Sequence, residues 1–427
     1  MNPLRNHIYQ LLRRSEGFFK TDMVYLTKGG FWLTLGQTVS SLSALTLAIA
    51  FANLVPPETY GTYKYLLSVA GMFAIFSLPG MGTAVSRAVA EGYDGVTYAA
   101  TNSRIRTSII GTILALVGSA YYFVNANVEL SVALLIISVT LPFFDTFTLY
   151  LSYLVGKRKF NIQTKYHIFS QIVSVATLIT MITFTENVLL ILIAYFLPLA
   201  IVRFFLYLHT MRAVPHSVDT DKQKETLAYG KHLTTMQILG IIAANIDKIL
   251  LWKLLGPAQL AVYAFAIAIP EQIKGSLKGV SDIALPKFVS QTPEDNNLSY
   301  RSFWYKVLLF AFFLFTISLI YIGIAPLIFK FLFPNYLDSV FYSQILALSL
   351  FTVAQSIPAT LLTAHKKTKT QYTLTTGRAI TQILLLVILV PKFGIMGAVV
   401  STVITNTINL INTIIAVILE SRQARKK

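Results

Sequence analysis

Glu271, Lys274, Lys278 and Asp282 stand three, four and four residues apart inside an apolar stretch. That spacing puts all four on one face of a helix, where each can pair with the next turn. A charge at the centre of a bilayer costs about 2.5 to 3.5 kcal/mol on insertion scales, so such a face turns to a cavity or to a partner, not to lipid. Two chemistries fit it: a ladder of ion pairs that staples helices together, or a binding face for a charged cargo. Asp247 and Lys248 are adjacent, about 100° apart on a helix, so one can face a cavity while the other reaches a neighbouring helix. Lys248 is the better ligand of the two and Asp247 the better structural partner.

Other intramembrane charges are few. Arg378 has no carboxylate within a helical turn, so it meets another helix or a cargo, or else snorkels to the nearby interface. Arg203 stands near a helix end and is expected to snorkel. Lys64 and Arg87 bracket one apolar stretch and read equally as interface anchors or cavity cations. Asp145 follows Pro142 by three residues, where a proline can open the backbone into a hinge. A lone membrane carboxylate there is a candidate ion-coupling site or a hydrogen-bonding partner for a neighbouring helix. The count of intramembrane charges is near balance and tips basic if Lys64 and Arg87 face the cavity, which favours an anionic cargo over a cationic one.

Catalytic chemistry finds no support. The chain has no cysteine, which rules out disulfides and thiolate metal sites, and its six histidines lack metal-ligand spacing. Neither a nucleotide loop, a metal motif nor a nucleophile elbow is present, so no catalytic residue, metal or cofactor is expected.

The elements that must position these charges are membrane helices. Twelve apolar stretches, near 31–54, 62–85, 107–124, 131–155, 166–184, 187–210, 234–255, 260–283, 307–329, 340–364, 371–391 and 395–419, are each long enough to span a bilayer. With 55% hydrophobic and 12% charged residues and a mean hydropathy of +0.64, a soluble fold would lack polar surface. The expected class is an all-α polytopic membrane protein. A net charge of +17 would suggest nucleic acid in a soluble chain. Here the basic residues concentrate in both tails and in every even-numbered connection, as in Lys157, Arg158 and Lys159 or Lys366, Lys367 and Lys369, while the odd connections carry only Lys253, Lys330 and Lys392. The positive-inside rule then puts both termini in the cytoplasm, with membrane lipid as a partner and no nucleic acid. Leu4, Ile8, Leu11 and Leu12 follow helical spacing with Arg5, Arg13 and Arg14 off that stripe, so residues 1–29 form a cytoplasmic tail with a possible interfacial helix.

The polar connection 211–231 divides the spans six and six, into lobes over 30–210 and 232–419, followed by a basic tail over 420–427. The halves repeat at an offset of about 200: Pro57 matches Pro257, Tyr63 matches Tyr263 and Arg87 matches Lys287. Six spans per half keep both halves in one orientation, as in transporters that bind cargo between two lobes and rock one against the other.

Asn245, Asp247 and Lys248, followed by Leu255, Gly256, Pro257 and Tyr263, resemble the seventh-helix signature of Wzx-type polysaccharide flippases, in the multidrug/oligosaccharidyl-lipid/polysaccharide (MOP) exporter superfamily. The resemblance implies a V-shaped, alternating-access transporter in a bacterial inner membrane. Its cargo would be a lipid-linked oligosaccharide of the undecaprenyl-diphosphate type, flipped from the cytoplasmic to the periplasmic leaflet for O-antigen or exopolysaccharide synthesis, beside a polymerase and assembly enzymes. The cationic candidates Lys248, Lys274, Lys278, Arg378, Lys64 and Arg87 would bind it, and Asp145, Asp247, Glu271 and Asp282 would couple ions or pair structurally. The alternatives are a drug or lipid exporter of the same superfamily, or a membrane-embedded polymerase or ligase, for which the short odd connections offer only Glu58, Glu129, Glu186 and Asp338.

Overall fold

The computed structural model describes residues 23–215, 219–289, 300–364 and 368–425, all helices and short connections with no strand among them. In lipid every backbone polar group must be paired within the protein, and helices do this segment by segment. The first half holds α1 (Met23–Leu54), α2 (Pro57–Phe73), α3 (Met81–Ala90), α4 (Val96–Val124), α5 (Val128–Phe144), α6 (Leu149–Gly156), α7 (Phe160–Phe184) and α8 (Val188–Met211). In the second half are α9 (Thr220–Leu255), α10 (Pro257–Val289), α11 (Tyr300–Leu332), α12 (Ser339–Ala347), α13 (Ser356–Ala364) and α14 (Thr368–Arg425).

Among the described residues the helices join into twelve segments, and with α14 counted once, eight of these, or nine with the bent pair α2–α3, are long and apolar enough to cross a membrane. A single span runs through α2 and α3, bent by 45°. The pairs α5 with α6 and α12 with α13 are likewise single spans, each interrupted by a 3-10 stretch, at Thr146–Thr148 and Leu348–Gln355. The long α14 is two spans, because Gly394 takes φ 58° and ψ −131° and turns the chain back on itself. A side chain would resist that left-handed φ. Thr370 then meets Glu420 at 2.8 Å and Arg378 meets Asn406 at 3.1 Å, the pairing of two antiparallel arms.

Two sequence expectations shift in detail. The polar stretch expected as a loop over 211–231 is helical from Thr220, since Asp219 caps the helix by accepting from the Lys222 amide at 2.9 Å. Arg104 and Arg106, read as loop residues, lie within α4, which starts already at Val96. The interfacial helix expected before residue 23 lies outside the described residues.

The halves meet at both ends of the molecule. At the end carrying the odd-numbered connections, α2 crosses α10 so closely that a Cβ on Gly61 would collide with the Pro257 carbonyl. Stacked rings of Tyr60 and Phe265, 4.6 Å apart, continue that seam, and Asn53 and Asn335 each donate a side-chain hydrogen bond to a backbone carbonyl of the opposite half. At the even-numbered end, α3 packs on α9, with the Gly80 amide donating to Thr234 Oγ1 at 3.1 Å.

Candidate functional site

Helices α9, α10, α12 to α13 and both arms of α14 enclose a cavity of about 760 Å³. Its charged lining is Asp247, Lys248, Glu271, Lys274 and Arg378, amid a wall of amides and hydroxyls. All these residues belong to the second half, where the charge-bearing faces of α9, α10 and the first arm of α14 turn toward one another.

Each lysine of the cavity has a carboxylate of its own. Lys248 Nζ folds back on its neighbour, 3.1 Å from Asp247 Oδ1, and donates also to the Ala244 carbonyl at 3.0 Å. Adjacency was expected to separate these two side chains; instead the flexible lysine stem wraps to the same side, and both line the cavity. Tyr263 donates to Asp247 Oδ2 at 2.8 Å, fixing the carboxylate from α10. One turn along α10 from Pro270, Lys274 Nζ stands 3.2 Å from Glu271 Oε1, the i,i+3 pairing its spacing permits. The side chains of Lys278 and Asp282 lie outside the described residues.

Arg378 differs. Its Nη2 donates to the neutral Asn406 Oδ1 at 3.1 Å, and no carboxylate lies within salt-bridge distance among the described residues. It faces the cavity from the first arm of α14, not the interface. With two lysines each matched by a carboxylate, the cavity's excess charge resides on Arg378. Asn409, also in the lining, donates to Gln355 at 2.7 Å and ties the second arm to the broken tenth span.

The remaining candidates stand elsewhere. Lys64 lies over the Tyr60 ring at 5.2 Å, outside the cavity lining and without an ion pair among the described residues. Arg87 is also outside it, bonded to Glu91 at 3.1 Å on the even-numbered end. Asp145 caps α5 and reaches Arg203 Nη1 at 3.6 Å, while the same guanidinium donates to the Phe144 carbonyl at 2.7 Å. Arg203 therefore turns inward to a partner, whereas its position near a helix end had suggested snorkelling.

Sequence reasoning missed Arg104, which is 5% exposed inside the first half. The signal was the Asp94-Gly95 dipeptide, a turn marker that starts a helix at Val96 and carries Arg104 into it. It also left Trp252 without a role; the indole stacks on Tyr65 of α2 at 4.1 Å, joining the halves.

No metal-binding cluster of His, Asp and Glu exists among the described residues. Residues 26–281, more than half of the chain, match the family model described as polysaccharide biosynthesis protein, and the chain belongs to that family. No curated protein matches by sequence. Among solved structures, the lipid II flippase MurJ in an inward closed conformation superposes with a TM-score of 0.72 at 18% identity, covering 90% of this chain and 86% of that one. An inward-facing multidrug resistance MATE transporter of the MOP superfamily gives 0.63 at 14%, covering 91% and 96%. A MOP superfamily transporter from Pyrococcus furiosus, described as having a binding pocket of reverse polarity that suggests a different function, gives 0.55 at 15%, covering 94% and 96%. The chain is thus an all-α, multi-pass membrane protein with the fold of MOP superfamily transporters.

Proposed function

We propose that this protein is a flippase that carries a polyprenyl-diphosphate-linked oligosaccharide from the cytoplasmic to the outer leaflet of a bacterial inner membrane, with both termini in the cytoplasm. The observation that carries the reading is Arg378, a cavity guanidinium that donates to an uncharged amide and has no carboxylate within salt-bridge distance among the described residues. Guanidinium presents a planar fork that matches phosphate oxygens, so a diphosphate supplies the charge this cavity lacks. Lys248 and Lys274 add positive charge whenever the cargo competes with their carboxylates. Amides and hydroxyls around them suit the hydroxyl groups of a sugar, and about 760 Å³ falls in the range of pockets that take a small organic ligand. Membership of a polysaccharide biosynthesis family points to the same class of cargo. Delivery to a polymerase on the outer face completes the reading.

The test is reconstitution with a fluorescent polyprenyl-diphosphate oligosaccharide, scored by its accessibility to a quencher outside the vesicle. Parent protein should move it, and Arg378→Gln should slow it at least tenfold at normal abundance, the order expected for one lost charge-assisted contact. Export of cationic drugs without lipid movement would replace this reading with a multidrug exporter, and elongation of the sugar would replace it with a polymerase.

A further inference from the structure

A second charged centre sits inside the first half, apart from the cavity. The second span breaks after Ser77, where Leu78 takes a left-handed φ of 50°, a conformation unfavourable for a residue with a side chain. The fourth span breaks between Phe144 and Leu149. Arg104 of α4 reaches both breaks at once: Nη2 donates to the Leu78 carbonyl at 3.3 Å, and Nη1 to the Asp145 carbonyl at 2.9 Å and the Thr148 hydroxyl at 3.1 Å. The Asp145 carboxylate is engaged by Arg203, so Arg104 spends its charge on carbonyl oxygens at the breaks, each of which also accepts a turn hydrogen bond, Leu78 from the Met81 amide and Asp145 from the Thr148 amide. At these same breaks Ser77 Oγ, Thr146 Oγ1 and Arg104 Nε are buried without a hydrogen-bond partner among the described residues. Buried polar atoms left unpaired store unfavourable energy that a second backbone arrangement can relieve.

Beyond the breaks, α3 and α6 pack as one body. A Cβ on Gly82 would stand 4.0 Å from Ser152 Cβ, and one on Gly156 would stand 2.7 Å from the Ser86 carbonyl. That body leans on α9 through the Gly80 and Thr234 hydrogen bond, and at its tip Glu91 Oε2 meets Lys222 Nζ at 2.7 Å. Its contacts with α9 are thus small-residue packing at Gly80 and Gly230, the Arg87–Tyr229 cation–π contact and one half-buried ion pair, while its two roots are the two breaks.

We propose that α3 and α6 form one gate flap, hinged where Arg104 bridges the breaks, which swings away from α9 to open the even-numbered end. Arg104 is the positioning residue that makes the two segments move together. The flap's motion is independent of what the cavity carries.

The chain has no cysteine, so an introduced one reports alone. Thr234→Cys places a thiol in the seam, where Thr234 is 4% exposed and reachable only when the flap has left α9. Its labelling in membranes by a charged maleimide should proceed slowly. An added disulfide between Gly82→Cys and Ser152→Cys, whose Cβ separation of 4.0 Å lies in the range of about 3.5 to 4.5 Å for such bonds, should leave the rate within about twofold. Arg104→Gln should raise it about tenfold, as α3 moves without α6, and the disulfide should return it to the parental rate. A seam that never labels, a disulfide that stops labelling, or an Arg104→Gln rate equal to the parent's would each overturn the proposal. Should Arg104→Gln fail to insert, the disulfide arm still decides whether the flap is one body. Labelling needs no cargo, so its failure leaves the flippase reading standing, and failure of lipid transport leaves the flap standing.

Discussion

At the scale of single residues, the ion pairs divide into those that hold a charge in place and those that leave one available. Asp247 is held from two sides, by Lys248 and by the Tyr263 hydroxyl. Lys248→Glu should therefore abolish transport, by setting two carboxylates side by side in a cavity meant for an anion. The swapped pair, Lys248→Glu with Asp247→Lys, should not recover it, because a lysine at 247 leaves the Tyr263 hydroxyl without its acceptor. Flipping rates in vesicles decide this, and recovery by the swap would reduce the pair to a structural staple. At the even-numbered end, hydrogen bonds from Lys222 first and Arg87 second hold the Glu91 carboxyl below its ordinary range. A depressed carboxylate contributes stability that is complete above its unfolded pKa, about 4.3, and is lost as pH falls through the lower folded value. The Glu91–Lys222 ion pair should thus persist at neutral pH and be lost only in acid, below the ordinary carboxylate range. The melting temperature in detergent, measured against pH, checks this, and Glu91→Gln should remove the acid-dependent part.

At the scale of elements, the breaks matter more than the helices. Pro142 marked the fourth span as a place where the backbone could open, and the helix does stop at Phe144. The second break was marked as well, by Pro79 and Gly80, since a proline cannot continue the helix and disfavours helical backbone at the residue before it; only the left-handed turn of Leu78 had no signal. The internal repeat was legible because Pro57 and Pro257 each open a helix, and Tyr63 and Tyr263 stand at the same place in them, both buried. The site was legible by sign but not by partner: charge spacing on α10 showed that Glu271 could meet Lys274, while the approach of Asn406 to Arg378 depends on the turn at Gly394, 16 residues beyond Arg378. The crossing of α2 and α10 is the element contact with least tolerance. Since a Cβ at Gly61 would run into backbone, which cannot rotate away, Gly61→Ala should cost on the order of 1 to 3 kcal/mol. A lower melting temperature in detergent, with Gly30→Ala unchanged because nothing lies within 4 Å of its Cβ position, would show it.

At the scale of the whole molecule, charge asymmetry across the membrane and the direction of transport are one argument. Basic residues crowd the even-numbered connections, so reporters fused after Arg158, after Ser217 and after Lys367 should all read cytoplasm. A single outward reading would break the twelve-span arrangement. On the proposed orientation, the cavity extends from Tyr263 and Thr402 toward Gln371 and Thr413, the end at which a lipid-linked sugar would be presented. A diphosphate leaving a negative-inside cytoplasm with about two charges gains about 4.6 kcal/mol per 100 mV, enough to drive the outward step. On the proposed reading, once a diphosphate left, Lys248 and Lys274 would fall back on Asp247 and Glu271, and the return step would carry a cavity with only the Arg378 charge in excess. Outward flipping in vesicles should therefore accelerate with an inside-negative potential set by a potassium gradient and slow when the gradient is reversed. A rate indifferent to potential would mean that another ion travels with the cargo and cancels its charge.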